Sequence, residues 1–178
     1  MNILTLKNYL EKMSYSLDSE TNEKIEKLYL VIKEKINNKN NIFICGNGGS
    51  AANSIHIAND FIYLNNQNKS KKKINVESLC ANTAIMTCVA NDINYEDVFS
   101  FQLITKAKKD DLLIVLSGSG NSPNILKAIK VAKKMGLNSF GILGFNGGKA
   151  KKNLNNFIHF KINDMQIVED FQTIVFHL

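Results

Sequence analysis

The stretch LLIVLSGSGNSP, residues 112–123, decides how this chain folds. Its first part, Leu112–Leu116, is an unbroken apolar run, which is typical of a strand buried on both faces of a parallel sheet. Its second part, Ser117–Ser122, is a tight loop of serine, glycine and asparagine. An apolar helical pattern begins after Pro123, which suits the first position of a helix with Ser122 as its N-cap. The stretch therefore predicts a buried strand that runs through a serine loop into a helix N-terminus.

A loop of this kind suits a phosphate group. The N–H groups and the dipole at a helix N-terminus favour an anion, and serine hydroxyls add further donors. A plain strand-to-helix turn of small residues would have the same composition, so both interpretations stand on the loop alone. The number of donors favours the phosphate site.

The composition indicates one globular domain. The chain has 178 residues, of which 44% are hydrophobic and one is a proline, so it can bury a sizeable core and is too apolar for disorder. Its net charge of +6 comes from lysines clustered at Lys69, Lys71–Lys73, Lys149, Lys151 and Lys152. Nucleic-acid binding is one interpretation. Solvated loops that attract anionic metabolites are the favoured one, because no nucleic-acid motif accompanies the lysines.

The cysteines and the apolar runs bear on the compartment. Cys45, Cys80 and Cys88 are scattered beside apolar residues, which predicts reduced, buried thiols of a cytoplasmic protein and neither a disulfide framework nor a zinc knuckle. No apolar run reaches transmembrane length, and the amphipathic N-terminus does not resemble a signal peptide. We therefore expect no membrane contact.

Two amphipathic helices are predicted ahead of the first strand, over Leu4–Ser16 and Glu20–Ile36. The second has apolar residues at spacings of three and four, so one face must be buried. A partner subunit and the helices' own domain are both possible coverings.

A second strand, loop and helix unit follows. Asn41–Cys45 predicts a strand, Gly46–Ser50 a glycine loop and Ala51–Tyr63 a helix. The loop lacks the G-x-G-x-x-G spacing of a dinucleotide site. Two such units in a small α/β chain nevertheless predict a ligand at the carboxyl edge of a parallel sheet.

The remaining elements alternate between strand and helix. Before the central strand, they are a lysine-rich surface loop at Phe61–Lys73, a strand at Val76–Leu79, a helix at Thr83–Ala90 that Asn91–Asp92 breaks, and a helix at Tyr95–Ala107. After it, a helix runs from Pro123 to Met135 with Gly136 as its C-cap, and a strand follows at Ser139–Leu143. The chain then has a turn without the Walker pattern at Gly144–Lys149, a strand at Phe157–Ile162 and a final helix from Gln166.

Two of the predicted helices carry a histidine and a carboxylate. His56 and Asp60 are four residues apart, and Glu169 and His177 are eight apart, so each pair shares a helical face. A surface ion pair and a core histidine are the ordinary interpretations. If the two helices meet, the four side chains would form an N₂O₂ set acceptable to zinc, or would act in proton transfer.

Four separated motifs together carry a family resemblance. They are CGNGGSAANSIHIANDF at residues 45–61, VANDINYEDVF at 89–99, LSGSGNSPN at 116–124 and MQIVEDFQTIVFH at 165–177. Their order and spacing resemble the sugar-isomerase (SIS) domain and, within it, the phosphoheptose isomerase family. The likeness covers nearly the whole chain.

The resemblance implies a fold and an activity. The implied fold is an α/β flavodoxin-like αβα sandwich with a five-stranded parallel sheet, preceded by two N-terminal helices. Residues 1–178 would form a single SIS domain, with oligomer contacts from the helices of residues 1–38 and an αβα core over 39–178. Members are usually homotetramers that convert sedoheptulose 7-phosphate to D-glycero-D-manno-heptose 7-phosphate, the first step toward activated heptose for lipopolysaccharide or capsule.

The resemblance also implies the site residues. Phosphate would be bound by Ser117, Gly118, Ser119 and Ser122. The rest of the sugar would contact Asn47, Gly48, Gly49, Ser50, Asn91, Asp92 and Glu169. Proton transfer would involve Asp60, Glu169 and His177, and one Zn²⁺ per subunit would be held by His56, Asp60, Glu169 and His177.

Three departures from the family pattern accompany the likeness. Asp60 stands where the family most often has glutamate, and Glu169 stands where it often has glutamine. The chain stops one residue after His177, where the family's last helix usually runs on, so one hypothesis is a truncated product. An isomerase of another sugar phosphate, a phosphosugar sensor and a partner-binding SIS protein remain alternatives. The two carboxylates favour an enzyme.

Overall fold

The computed structural model describes residues 5–67 and 73–178 of the chain. The strands are β1 (Asn41–Gly46), β2 (Asn75–Ser78), β3 (Leu112–Ser117), β4 (Asn138–Leu143) and β5 (Asn156–His159). The helices are α1 (Leu6–Ser14), α2 (Thr21–Asn37), α3 (Gly49–Gln67), α4 (Thr83–Asp92), α5 (Ser100–Lys106), α6 (Pro123–Met135), α7 (Ala150–Asn153) and α8 (Met165–His177), with a 3₁₀ turn at Tyr95–Asp97. All strand pairs are parallel, in the order β2-β1-β3-β4-β5. This is the predicted flavodoxin-like arrangement.

The central strand β3 divides the core into two layers. Leu112, Ile114 and Leu116 pack with apolar residues of α2, α3 and α8 on one face of the sheet. Leu113 and Val115 pack with those of α4, α5 and α6 on the other. Every residue of β3 is buried, because helices cover both faces of a parallel sheet. The apolar run therefore has the two-sided burial that it predicts.

The N-terminal helices pack on their own domain. Leu28 of α2 is buried in the core layer that also contains β3. In α1, the Tyr9 hydroxyl donates to Asp170 Oδ2 at 2.7 Å, and Lys12 Nζ lies 2.5 Å from Asp164 Oδ2. The hydrogen bond from Lys12 lowers the pKa of Asp164, which also caps α8. Both of these contacts tie α1 to α8.

Helix α3 is longer than predicted. It continues to Gln67, so the surface loop expected at Phe61–Lys73 is wrong for its first seven residues. The ring of Phe61 packs edge-on against Phe176, with centroids 6.2 Å apart, so α8 stabilises α3 at the residue where the loop was expected to begin. Residues 68–72, including three lysines of the first cluster, lie outside the described residues.

The region after β2 also departs from the prediction. Helix α4 runs through Asp92, so the expected break at Asn91–Asp92 is wrong. The single helix expected at Tyr95–Ala107 is a 3₁₀ turn followed by α5. The side chain of Asn94 accepts a hydrogen bond from the backbone N–H of Asp97 at 3.0 Å, and this cap begins the short turn.

The second half follows its prediction more closely. Gly136 ends α6 in the left-handed region with φ of 76°, as expected for a C-cap. Gly144–Lys149 is a loop, but the short helix α7 after it was not predicted, and β5 ends at His159 instead of Ile162. Among the described residues, none of the helices has both the length and the apolarity needed to cross a bilayer.

Candidate active site

The glycine loop and the serine loop begin side by side at the carboxyl edge of the sheet. Strand order reverses between β1 and β3, and Gly46 at the end of β1 is opposite Leu116 of β3. A crevice between loops that diverge at such a reversal is where open α/β sheets bind ligands. The two loops singled out in the sequence are therefore neighbours.

Asn47 of the glycine loop joins the two loops through its side-chain amide. Its Nδ2 donates to Asn124 Oδ1 at 2.9 Å, and Asn124 Nδ2 donates back to Asn47 Oδ1 at 2.8 Å. Asn124 is in the first turn of α6 and is only 1% exposed. The Tyr95 hydroxyl donates to the same Asn47 Oδ1 at 3.0 Å. Asn124 and Tyr95 lie within quoted motifs, but the sequence interpretation did not single them out.

The serine loop is ordered by hydrogen bonds from its own backbone. Ser117 Oγ accepts from the N–H of Gly120 at 3.1 Å, and Ser119 Oγ accepts from that of Asn121 at 3.2 Å. Ser122 occupies the N-cap position as predicted, although its hydroxyl does not cap the helix. The Ser119 and Ser122 side chains are half-buried at the N-terminus of α6, where an anion is favoured.

The Gly144–Lys149 loop and the start of α7 make hydrogen bonds to the serine loop. Gly144 N–H donates to Gly118 O at 3.0 Å, Ala150 N–H to Gly120 O at 2.9 Å, and Lys149 N–H to Asn121 Oδ1 at 3.0 Å. Gly120 has a φ of 64°, and a Cβ there would overlap the carbonyl of Gly147. The second lysine cluster begins at Lys149, whose backbone N–H makes this contact with the loop predicted to bind phosphate. Sequence reasoning treated this segment only as a turn.

His159 lies behind this supporting loop. Its Nε2 is 3.1 Å from the Phe145 carbonyl oxygen, and its Nδ1 is 3.2 Å from Lys151 Nζ. The neutral ring can donate from Nε2 and accept at Nδ1. Burial, together with the charges of Lys151, Lys161 and Lys24, lowers the pKa of His159 in spite of the bond to Phe145. The uncharged ring thus links the supporting loop to Lys151.

Three of the four predicted metal-binding residues form a compact group, which we call the His–Asp–His group. His56 Nε2 lies 3.3 Å from Asp60 Oδ2 and 3.2 Å from His177 Nε2, and His177 Nε2 lies 3.5 Å from Asp60 Oδ2. The side chains are 48%, 33% and 53% exposed, in the order His56, Asp60, His177. Two imidazole nitrogens and a carboxylate oxygen at this spacing are donors that can hold a metal ion.

Glu169 is held apart from the His–Asp–His group. Its carboxylate lies so close to Gly49 that a Cβ on that glycine would overlap it. Asn53 holds α8 in place, because its Nδ2 donates to the Glu169 carbonyl at 2.8 Å and to Gln172 Oε1 at 3.1 Å. Glu169 faces the glycine loop. The structure therefore brings together three of the four predicted metal ligands, and the complete four-ligand set stays a prediction.

The remaining predicted residues have mixed placements. Ser50 is buried in the first turn of α3, whereas Gly48 is exposed in the glycine loop. Asn91 and Asp92 are exposed at the end of α4, where Asn91 Nδ2 donates to Asp92 Oδ1 at 2.8 Å. In this part of the chain, the residue that makes a hydrogen bond to Asn47 is Tyr95, which follows α4. The hydrogen bond from Cys88 to Asp92 raises the pKa of the Cys88 thiol. Cys88 is exposed and Cys80 half-buried, so the prediction of buried thiols is wrong for these two and holds for Cys45.

The family model of the SIS domain matches residues 7–144 of the chain. The phosphoheptose isomerase of Helicobacter pylori strain P12 is 34% identical over 169 residues, which cover 94% of this chain and 86% of that protein. The phosphoheptose isomerase of Clostridium acetobutylicum is 36% identical over 134 residues, which cover 75% of this chain and 67% of that protein.

A solved structure agrees with the fold. Phosphoheptose isomerase GmhA from Neisseria gonorrhoeae superposes with a TM-score of 0.87 at 22% identity, covering 96% of this chain and 90% of that one. At this identity the superposition supports the fold, while the curated relatives show the family. The chain belongs to the SIS domain family and, within it, to the phosphoheptose isomerases.

Proposed function

We propose that this protein isomerises sedoheptulose 7-phosphate to D-glycero-D-manno-heptose 7-phosphate through an enediol or enediolate, as the first step toward activated heptose for lipopolysaccharide or capsule. The observation that carries the proposal is that the serine loop at the α6 N-terminus and Glu169 beside the glycine loop lie at the carboxyl edge of the sheet, from which α3 and α8 lead to the His–Asp–His group. One end of this site suits a phosphate, and the other offers groups for proton transfer.

The serine loop holds the phosphate in this proposal. Ser117, Gly118, Ser119 and Ser122 supply hydroxyl and backbone donors at the start of α6. Met165, the first residue of α8, lies against Gly118, so α8 leads from the phosphate end of the site toward Glu169 and His177. Fixing the phosphate orients the distant carbonyl end of an open-chain sugar, which is a use of remote binding energy.

Asp60 carries the proton between C1 and C2. Without a metal, His177 stabilises the oxygen on which negative charge develops; if zinc were bound, His177 would be a ligand and the ion would supply that stabilisation. The 3.5 Å separation of His177 Nε2 and Asp60 Oδ2 supports a joint action on one ligand. Glu169 is the other candidate base. Because the family often has a glutamine at this position, Glu169 is assigned to binding the sugar beside Gly49.

The His–Asp–His group suits zinc. Tetrahedral ligands about 2.1 Å from zinc lie roughly 3.4 Å from one another, and the three donor separations in this chain are 3.2, 3.3 and 3.5 Å. His56, Asp60 and His177 would hold the ion. Glu169, the fourth ligand that the family resemblance implies, would have to turn away from Gly49 to reach it. A bound zinc ion would supply Lewis acidity toward a substrate oxygen.

The surface supports a homotetramer. An apolar groove of about 540 Å³ lies between α2 and α8, where Tyr29 and Leu178 are exposed. Leu6 and Leu10 of α1 are also exposed. Exposed apolar surface of this extent is typical of subunit contacts. We expect light scattering of the purified protein to give four times the 19.9 kDa mass of one chain.

We propose a cytoplasmic enzyme whose partner is the sugar phosphate and neither a nucleic acid nor a membrane. Three free cysteines support a reducing compartment. The lysines near the serine loop support attraction of an anionic metabolite. DNA binding whose affinity falls steeply as the salt concentration rises would contradict this assignment.

Proton NMR in D₂O tests the reaction directly. Purified protein is incubated with sedoheptulose 7-phosphate, with and without added zinc. Aldose signals with deuterium at the carbon next to the carbonyl would support isomerisation through an enediol, and a faster rate with zinc would support the metal site. If the folded oligomer turns over another sugar phosphate, or binds sedoheptulose 7-phosphate without turnover, a different isomerase or a sensor replaces the proposal.

A further inference from the structure

The Asn47–Asn124–Tyr95 network has hydrogen-bond directions that the backbone dictates. Asn124 Oδ1 accepts from the N–H of Ile125 at 2.9 Å, and a backbone N–H can only donate. The orientation of the Asn124 amide is thereby set, so its Nδ2 faces Asn47 and must meet an acceptor there. Asn47 Oδ1 is that acceptor, and the Tyr95 hydroxyl at 3.0 Å must then donate.

The capacity of the Asn47 side chain is almost used up in this network. Its carbonyl oxygen accepts from Asn124 and from Tyr95, which occupies both lone pairs. One of its two N–H bonds is given to Asn124. A single N–H remains for a ligand, so Asn47 can offer a donor and no acceptor.

We propose that Tyr95 is a positioning residue, which acts through Asn47 by holding its amide in the orientation that presents this one N–H to an oxygen acceptor of the bound sugar phosphate. The inference rests on the proposed function for the identity of the ligand. Asn124 anchors the network, because it is buried at the start of the helix that follows the serine loop. The network therefore ties the glycine loop, the serine loop's helix and the 3₁₀ turn to one amide.

A double-mutant cycle separates an action through Asn47 from any other role of Tyr95. Tyr95→Phe removes only the hydroxyl, and the residue is 56% exposed, so the fold should be unaffected. We expect the variant to lower kcat/KM for sedoheptulose 7-phosphate roughly three- to tenfold, mainly through KM. In an Asn47→Ala background, the same substitution should cost nothing further. An equal loss in both backgrounds would overturn the proposal.

A matched control exists on α3. The Tyr63 hydroxyl also makes a hydrogen bond, accepting from Gln67 at 3.0 Å, and Tyr63 is 60% exposed. Tyr63→Phe therefore removes a hydroxyl of similar exposure elsewhere, and kcat/KM should stay within twofold of the unsubstituted protein. A loss as large as that of Tyr95→Phe would show a general sensitivity to tyrosine substitution and overturn the assignment.

A measurement without ligand separates this inference from the proposed function. In ¹⁵N-labelled protein, Tyr95→Phe should shift the side-chain amide resonances of Asn47, whereas Tyr63→Phe should leave them unchanged. If the unsubstituted protein does not isomerise sedoheptulose 7-phosphate, the proposed function fails while the shift still supports the network. Unshifted Asn47 resonances would overturn the positioning role even in an active enzyme.

Discussion

The serine loop and the His–Asp–His group are built in opposite ways. The serine loop consists of consecutive residues, and its hydroxyls and the adjacent Gly144–Lys149 loop satisfy its backbone groups. The His–Asp–His group consists of side chains from two helices, and His56 and His177 are 121 positions apart. The first is ordered by its backbone and the second depends on how α3 packs against α8. This difference suggests that ligand binding and proton transfer can be disrupted separately.

The largest effect should come from the carboxylate of the His–Asp–His group. Asp60→Asn keeps the size of the side chain but removes its basicity, so kcat should fall at least about 100-fold, with a much smaller change in KM. Steady-state kinetics with sedoheptulose 7-phosphate measures both constants. Glu169→Gln, which restores the residue that the family often has, should lose less than about tenfold. Full activity in Asp60→Asn would exclude this residue as the base.

A substitution in the serine loop should instead change KM more than kcat. Ser119→Ala removes a half-buried hydroxyl near the α6 N-terminus, and we expect KM to rise about tenfold with little change in kcat or in melting temperature. Ser14→Ala, at an exposed serine of α1, serves as a control for loss of a hydroxyl. An unchanged KM for Ser119→Ala would remove this serine from the phosphate site.

Metal binding should stabilise the junction of α3 and α8. Saturating Zn²⁺ should raise the melting temperature by roughly 5 °C, because ligand bound only to the folded state adds a few kcal/mol to its stability. The shift should disappear in His56→Gln and remain in His159→Gln, whose histidine lies outside the group. Thermal unfolding with and without zinc gives the comparison, and an equal shift in both variants would contradict a site at His56.

The smallest expected effect is a pH dependence of stability that comes from His159, which lies behind the Gly144–Lys149 loop. The pKa of His159 is lowered in the folded protein from an ordinary value of 6.5, so its contribution to the free energy of unfolding is present above that pH. The contribution is lost as the pH falls from 6.5 toward the lower folded value, because the unfolded chain then binds a proton that the buried ring beside Lys151 takes up less readily. Chemical denaturation between pH 7 and pH 5 should show this decline. His159→Gln should have a flatter profile, and an identical slope would rule out the effect.

Much of the site could be predicted because its loops follow their strands directly. Short apolar runs located β1 and β3, and the parallel sheet that such runs predict places their loops at one edge. The 3₁₀ turn at Tyr95–Asp97 was missed because the cap by Asn94 competes with a continuous helical pattern. The surface loop expected from Phe61 was wrong because Phe61 packs against Phe176 of α8, a contact between residues far apart in the chain.

By itself, the sequence determined the strand, serine loop and helix of residues 112–135, because an apolar run, donor-rich loop residues and a helix N-terminus act between neighbours in the chain. It also supplied histidines and carboxylates at helical spacings. Only the tertiary structure decided that His56, Asp60 and His177 meet while Glu169 faces Gly49. That outcome depends on the packing of α3 against α8, and side-chain contacts between distant helices are not encoded in the spacing within either helix.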